Sequence, residues 1–298
     1  MQFIGNEKAT NILARSIENA VLNHAYLFSG PAHVGKFTLA KMFALNLIEG
    51  VELSLDMEKA NKDALLDLIV IGPEIVEKNN VSKQRDISID AIRDAKQSLS
   101  LFPYHGKYKI LIIDDAHKMN ASAQNGLLKS LEEPNPTTII ILVTHEIDRI
   151  LPTILSRCQV INFGLVHDDD MKKGFAGTSS FSENCIELSA GRPGLAKQLN
   201  ENPEERNFRA NALQEFSRIR NASLNEKFKM AEEFSKNVVT TLEKLNMWIW
   251  EMRKIAISSS QERDNMFNYI GKIQKSMVVL KSTNANSRLI LESLFMDL

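Results

Sequence analysis

Cysteine is scarce in this chain: two in 298 residues, Cys158 and Cys185. Neither belongs to a C-x-x-C pair, which excludes a four-cysteine zinc site and a disulfide framework and suits a reducing compartment. Net charge is equally lacking. Lys and Arg number 36 against 37 Asp and Glu, a balance of -1, so binding to nucleic acid through bulk positive charge is excluded, although a local basic patch is not. Long apolar runs are missing too. The strongest, Ile139–Val143, falls far short of the roughly 20 residues that span a bilayer. The N-terminus has an early Glu and no apolar stretch of the kind a secretory signal carries. These features predict a cytoplasmic chain with no membrane partner. Hydrophobic residues at 44% and charged residues at 24% are ordinary for a globular protein. The length suits two to three domains of roughly 100–200 residues each.

What is present begins with alternation. Ile12, Leu13, Ile17 and Val21 recur at helical spacing, Ala25–Phe28 is a short buried strand, and Leu39, Phe43 and Leu47 mark a second helix. Leu68–Ile71, Lys109–Ile113, Ile139–Val143 and Val160–Phe163 are further strands. Ser88 caps a helix to about Leu99, and Asn120–Glu133 forms another, ended by Pro134. Continuous rather than alternating apolar strands predict a parallel sheet covered on both faces. Residues 77–86, charged and Asn-rich, read as an exposed loop. No strand is predicted beyond Phe163. Short helices follow, then wholly helical periodicity from about Glu204, with Leu242, Leu245, Ile249, Met252 and Ile255 on a core stripe. The fold class is therefore α/β followed by an all-α region.

Gly30-Pro-Ala-His-Val-Gly35-Lys36 fills seven positions of the phosphate loop G-x-x-x-x-G-K-S/T, between a strand and a helix. Backbone N–H groups wrap phosphate there, and the Lys adds charge. The eighth position, which should offer Mg²⁺ a hydroxyl, is Phe37; Thr38 comes one residue late, about 100° around the helix. Strand Lys109–Ile113 runs into Asp114-Asp115, the pattern that places a carboxylate beside the loop. Asp115 stands where an ATPase usually has Glu. His117 reads as a surface or loop-facing residue rather than a metal ligand, and Cys158 as a small apolar residue at a strand start. No metal site is assigned.

The strings HAYLFSGP, AHVGKF, IIDDAHKMNASAQNGLLKSLEEP, IIILVT, LPTILSRCQ and LSAGRPGLA closely resemble the AAA+ clamp-loader subunits of bacterial DNA polymerase III, from about Phe3 to Leu199. The resemblance implies an AAA+ P-loop NTPase-type sheet over residues 1–163, a helical lid over 164–203 and an all-α collar domain over 204–298 that assembles the complex. It implies partners: gamma/tau-like and delta-like subunits in a hetero-pentamer, with the sliding clamp and primer–template DNA met through the whole complex. It also implies a degenerate nucleotide site of Gly30, Gly35, Lys36, Thr38, Asp114, Asp115 and Thr144, the last at the polar sensor position. ATP can enter that site but is not hydrolysed, because the motor-type G-K-T-T, Asp-Glu and sensor-Arg features are replaced by Phe37, Asp115 and Gly194. Arg157, in Ser156-Arg157-Cys158, fits the Arg finger offered in trans to a neighbour's ATP. The alternative is an ATP-hydrolysing motor subunit or another AAA+ ATPase. Many relatives carry a four-Cys zinc module in the region that here is Glu49–Leu65, which holds no Cys, so zinc is not implied.

Overall fold

The computed structural model describes residues 3–55, 63–78, 81–177, 181–259, 261–282 and 285–298. Part of the cysteine-free segment at 49–65, and residues 178–180, lie outside the described residues. By internal contacts the chain divides into two compact units: residues 1–181 with 191–195, and residues 182–190 with 196–298.

In the first unit, α1 (Glu7–Glu18), β1 (Ala25–Ser29) and α2 (Lys36–Glu49) open the fold. They are followed by β2 (Leu68–Ile71), β3 (Ile75–Lys78), β4 (Val81–Gln84), α3 (Ile89–Leu99) and β5 (Lys109–Ile113). Then come α4 (Ala121–Glu132), β6 (Thr138–Thr144), α5 (Pro152–Leu155), β7 (Gln159–Asn162) and α6 (Asp168–Phe175). Five strands make one parallel sheet in the order β2-β5-β6-β1-β7. The apolar strands split their side chains by parity, since successive residues face opposite sides of a sheet. Tyr26, Phe28, Ile110, Ile112, Ile139 and Ile141 join the core built with Leu39, Phe43 and Leu47 of α2. Ala25, Leu27, Leu111, Ile113, Ile140 and Leu142 join the core built with Ile92 of α3 and Leu127 and Leu131 of α4. A layer on each face explains why these strands read as unbroken apolar runs.

Ser88 caps as the sequence predicts, its Oγ accepting from Ala91 N, while Asn120, read there as the first residue of its helix, is instead the N-cap, its Oδ1 accepting from Ala123 N; each satisfies one orphan donor. One expectation is corrected. Residues 77–86 are not simply a loop, because β3 and β4 pair antiparallel, Ile75 opposite Gln84 and Lys78 opposite Val81. The charges that suggested a loop lie among Ile75, Val76 and Val81, whose β-branched side chains suit strands.

The second unit is helical among the described residues: α7 (Glu183–Ser189), most of α8 (Pro193–Glu201), α9 (Pro203–Asn221), α10 (Leu224–Ser235), α11 (Val238–Ser258), α12 (Arg263–Ser282) and α13 (Ser287–Asp297). Its core centres on Trp248, ringed by Phe216, Phe234 and Phe295. Trp248 donates from Nε1 to Ala212 O at 2.7 Å, the partner a buried indole N–H requires. No helix among the described residues is long and apolar enough to cross a membrane.

Candidate nucleotide site and its neighbourhood

In the parallel sheet all strands end on one edge, and the crevice outside those ends is where α/β proteins bind ligands. β6 lies between β5 and β1. Ser29 pairs with Thr144 and Ile113 with Leu142, so the loop after β1, the acidic pair after β5 and Thr144 meet at one level.

The loop after β1 takes its shape from backbone that only some residues tolerate. Gly30 has φ 145° and Gly35 φ 94°, while His33 sits at φ 64°. A Cβ on Gly30 would lie 2.3 Å from Phe163 O, so glycine there is a steric requirement. Lys36 is buried, and its ammonium donates to Gly30 O and Pro31 O of its own loop. Burial pulls its pKa down to about 8, partly offset by Asp114 and Asp115. Phe37 packs against the sheet core and Thr38 faces solvent. Gly194 donates its N–H to His33 O at 2.9 Å, and a Cβ there would approach that oxygen to 3.0 Å.

Asp114 and Asp115 end β5 with different electrostatics. Burial, reinforced by the adjacent Asp115, raises the Asp114 pKa. Asp115 is held down at about 2, first by its hydrogen bond with His145 and then, against burial, by Lys118. The distances are 3.3 Å to His145 Nδ1 and 3.5 Å to Lys118 Nζ. Asp115 also occupies left-handed backbone at φ 47°. Fully buried Thr144 accepts from Glu146 N at 3.1 Å, and its Oγ1 lies 3.3 Å from His117 Nδ1.

The sequence expectation for His117 fails here: the ring is only 2% exposed. It sits on a short 3₁₀ turn, Ala116–Lys118, that tucks it under the end of β6 and edge-on to His145, ring centroids 4.0 Å apart. Burial and the neighbouring His145 lower its pKa. One donor atom each from Asp115, His117 and His145 lies within 4.8 Å of the others. His145 was missed as a site residue. The available signal was its place directly after Thr144, at the end of a central strand.

Arg157 stands apart from these groups, just after α5. Its Nη2 pairs with Glu132 Oε1 at 2.8 Å and its Nη1 donates to Thr153 O at 2.9 Å. Cys158 is a packed thiol rather than a nucleophile, since burial pushes its pKa up to about 12.

The ingredients for binding a nucleotide's phosphates are therefore present: a glycine-shaped loop, a helix N-terminus and a buried cation. The position that would offer Mg²⁺ a hydroxyl holds Phe37, half-buried against the sheet core. Sheet order, loop and acidic strand end define an AAA+ P-loop module. Residues 5–167, more than half of the chain, match the family described as "DNA polymerase III, delta subunit", and the chain belongs to that clamp-loader family. It is 36% identical over 162 residues to DNA polymerase III subunit tau of Bacillus subtilis, covering 54% of this chain and 28% of that protein. It is 36% identical over 142 residues to subunit delta' of Pseudomonas aeruginosa, covering 45% of this chain and 41% of that protein. The chain thus spans less than half the length of these curated relatives. A gamma subunit-related protein of Thermotoga maritima aligns over 97% of both chains at 19% identity, TM-score 0.48.

Proposed function

We propose that the chain is a delta-prime-type stator of the clamp loader, a subunit that turns over little or no ATP itself and presents Arg157 to ATP on a neighbouring motor subunit. One observation carries the reading: the hydroxyl position of the phosphate loop is Phe37, half-buried against the sheet core, with Thr38 turned to solvent. Phosphoryl transfer depends on electrostatic stabilisation of the transferred group. A loop without its Mg²⁺ hydroxyl, facing Gly194 where motors place a sensor Arg, supplies less of it. ATP that enters this loop stays unhydrolysed.

In this reading residues 1–163 form the AAA+ domain, 164–203 the lid and 204–298 the collar that joins gamma/tau-like and delta-like subunits in a hetero-pentamer in the cytoplasm. Clamp and primer–template DNA are engaged by the assembled complex. The test is ATP turnover by the isolated chain and by the reconstituted complex. Isolated-chain turnover of about 1 s⁻¹ or more sinks the stator reading and favours a motor subunit. A second reading of Arg157 is favoured by the 2.8 Å pair with Glu132: the guanidinium is a strut tying the segment after α5 to the end of α4.

A further inference from the structure

We propose that Asp115, His117 and His145 form a binding site for a divalent transition metal of the zinc class, at the junction of the β5 and β6 ends. Two imidazoles and one carboxylate are a donor set suited to Zn²⁺, Co²⁺ or Ni²⁺ rather than to Mg²⁺, which prefers oxygen ligands in octahedral geometry. Each residue brings one donor atom, all within 4.8 Å of one another. Two ligands about 2.0–2.1 Å from a tetrahedral zinc lie roughly 3.4 Å apart. The edge from Asp115 Oδ1 to His145 Nδ1 is already 3.3 Å. Edges that stand as far apart as 4.8 Å must shorten for one ion to be held by all three residues.

The surroundings orient these donors. Thr144 Oγ1 faces His117 Nδ1 at 3.3 Å. Its lone pairs can accept from that Nδ1–H as well as from Glu146 N. That contact holds the orientation of the ring, the support that metal-binding histidines usually have. Asp115 and His117 are held by the 3₁₀ turn, with Lys118 N donating to Asp115 O at 2.8 Å. His117 is buried, while the Asp115 and His145 side chains are 30% and 32% exposed, so an ion can enter from one side and keep a water as fourth ligand. Charged groups beside the triad include Lys118, 3.5 Å from Asp115 Oδ2, and Glu146, whose Oε1 is 3.7 Å from His145 Nε2, with Asp114 and Lys36 acting electrostatically from the strand end and the phosphate loop. A bound ion would displace the Lys118 pairing and be favoured by the Glu146 carboxylate. The site shares Asp115 and Thr144 with the candidate nucleotide site but uses neither Arg157 nor the phosphate loop, so metal binding is read separately from the ATP turnover that tests the stator reading.

The experiment titrates the tag-free, metal-stripped full chain with Co²⁺, followed by its visible d–d absorption, and then displaces it with Zn²⁺. One equivalent of Co²⁺ with the intense bands of a low-coordinate site is expected, together with a rise in melting temperature on adding Zn²⁺. His145→Ala and Asp115→Asn should each weaken binding by at least about tenfold, the least that disturbing even a supporting group costs. Asn suits the left-handed backbone at 115, and His145 is partly exposed, so both variants should fold; far-UV circular dichroism checks this. His105→Ala, at an exposed histidine elsewhere, should change nothing. Absence of the cobalt spectrum in the wild-type chain, or undiminished affinity in either ligand variant, overturns the proposal.

Discussion

Arg157→Ala and Glu132→Gln together distinguish a finger from a strut. The pair is close, at 2.8 Å, but its side chains are 34% and 50% exposed. Such a pair contributes about 0.2–1 kcal/mol, and the hydrogen bond from Nη1 to Thr153 O adds about 0.5–1.5 kcal/mol. Arg157→Ala should therefore cost about 1–2 kcal/mol of stability and Glu132→Gln no more than about 1 kcal/mol, leaving both chains folded. An Arg finger contributes about 10³–10⁵ in rate at its site, or roughly 4–7 kcal/mol of barrier at 1.36 kcal/mol per decade. The two scales differ enough to separate the roles. The assay pairs denaturant melts of each variant with DNA- and clamp-dependent ATPase and loading by the reconstituted complex. Arg157→Ala should assemble normally and lose hydrolysis at one neighbouring site, seen best in single-turnover measurements because the other sites mask it in steady state. Glu132→Gln should keep that hydrolysis, since the guanidinium is only released. If Arg157→Ala leaves DNA-dependent hydrolysis and loading unchanged, or if both variants reduce them in step with stability, Arg157 is a strut and the trans-acting role is refuted.

Other outcomes follow from the same geometry. Trp248→Phe should destabilise the helical unit by about 1 kcal/mol, because Ala212 O loses its donor, and Trp248→Ala by about 3–5 kcal/mol through cavity formation; urea melts followed by circular dichroism read both. Gly30→Ala should fold poorly or abolish nucleotide binding, given the clash with Phe163 O, as limited proteolysis and a fluorescent-nucleotide titration would reveal. With the Lys36 pKa at about 8, nucleotide affinity should fall as pH rises through 8, and Lys36→Met should flatten that dependence. The sign for stability is opposite: between the folded value and the ordinary Lys value near 10.5 the unfolded chain binds more protons, so this group adds stability as pH rises across that window. The native chain should resist thiol reagents at Cys158 and Cys185, both releasing only on denaturation.

Which features were legible in the sequence follows from how local they are. Ala25–Phe28 and Ile110–Ile113 declare themselves because strand interiors covered on both faces must be apolar at every position, and Leu68–Ile71, at the sheet edge, through its short apolar run ended by Gly72-Pro73. Ser88 and Asn120 declare helix starts because an N-cap bond spans only three residues. The β3–β4 hairpin was hidden because its charges and its β-branched residues point to opposite assignments. The burial of His117 depends on Thr144 and His145, which reach it through sheet register rather than along the chain. The pair of Arg157 with Glu132, 25 residues apart, is a tertiary fact with no periodic signature. The phosphate loop was visible as a motif, yet the return of Lys36 onto its own carbonyls was not, since identical residues can adopt either geometry.

The division of the chain has a practical consequence for dissecting it. Residues 182–190 belong to the helical unit and 191–195 to the sheet unit, before the chain passes back for good. A knife placed anywhere along the polypeptide therefore leaves a remnant of one unit attached to the other or strips an element from its home. A fragment ending near Asn202 keeps α7 and α8 while deleting α9, against which α7 packs. A fragment ending at Phe181 loses Gly194, whose N–H bonds the phosphate loop at His33 O. Separate expression of the two units calls for a redesigned junction, with residues 191–195 grafted or their loop bonds replaced, and natural insertions or fusions face the same constraint.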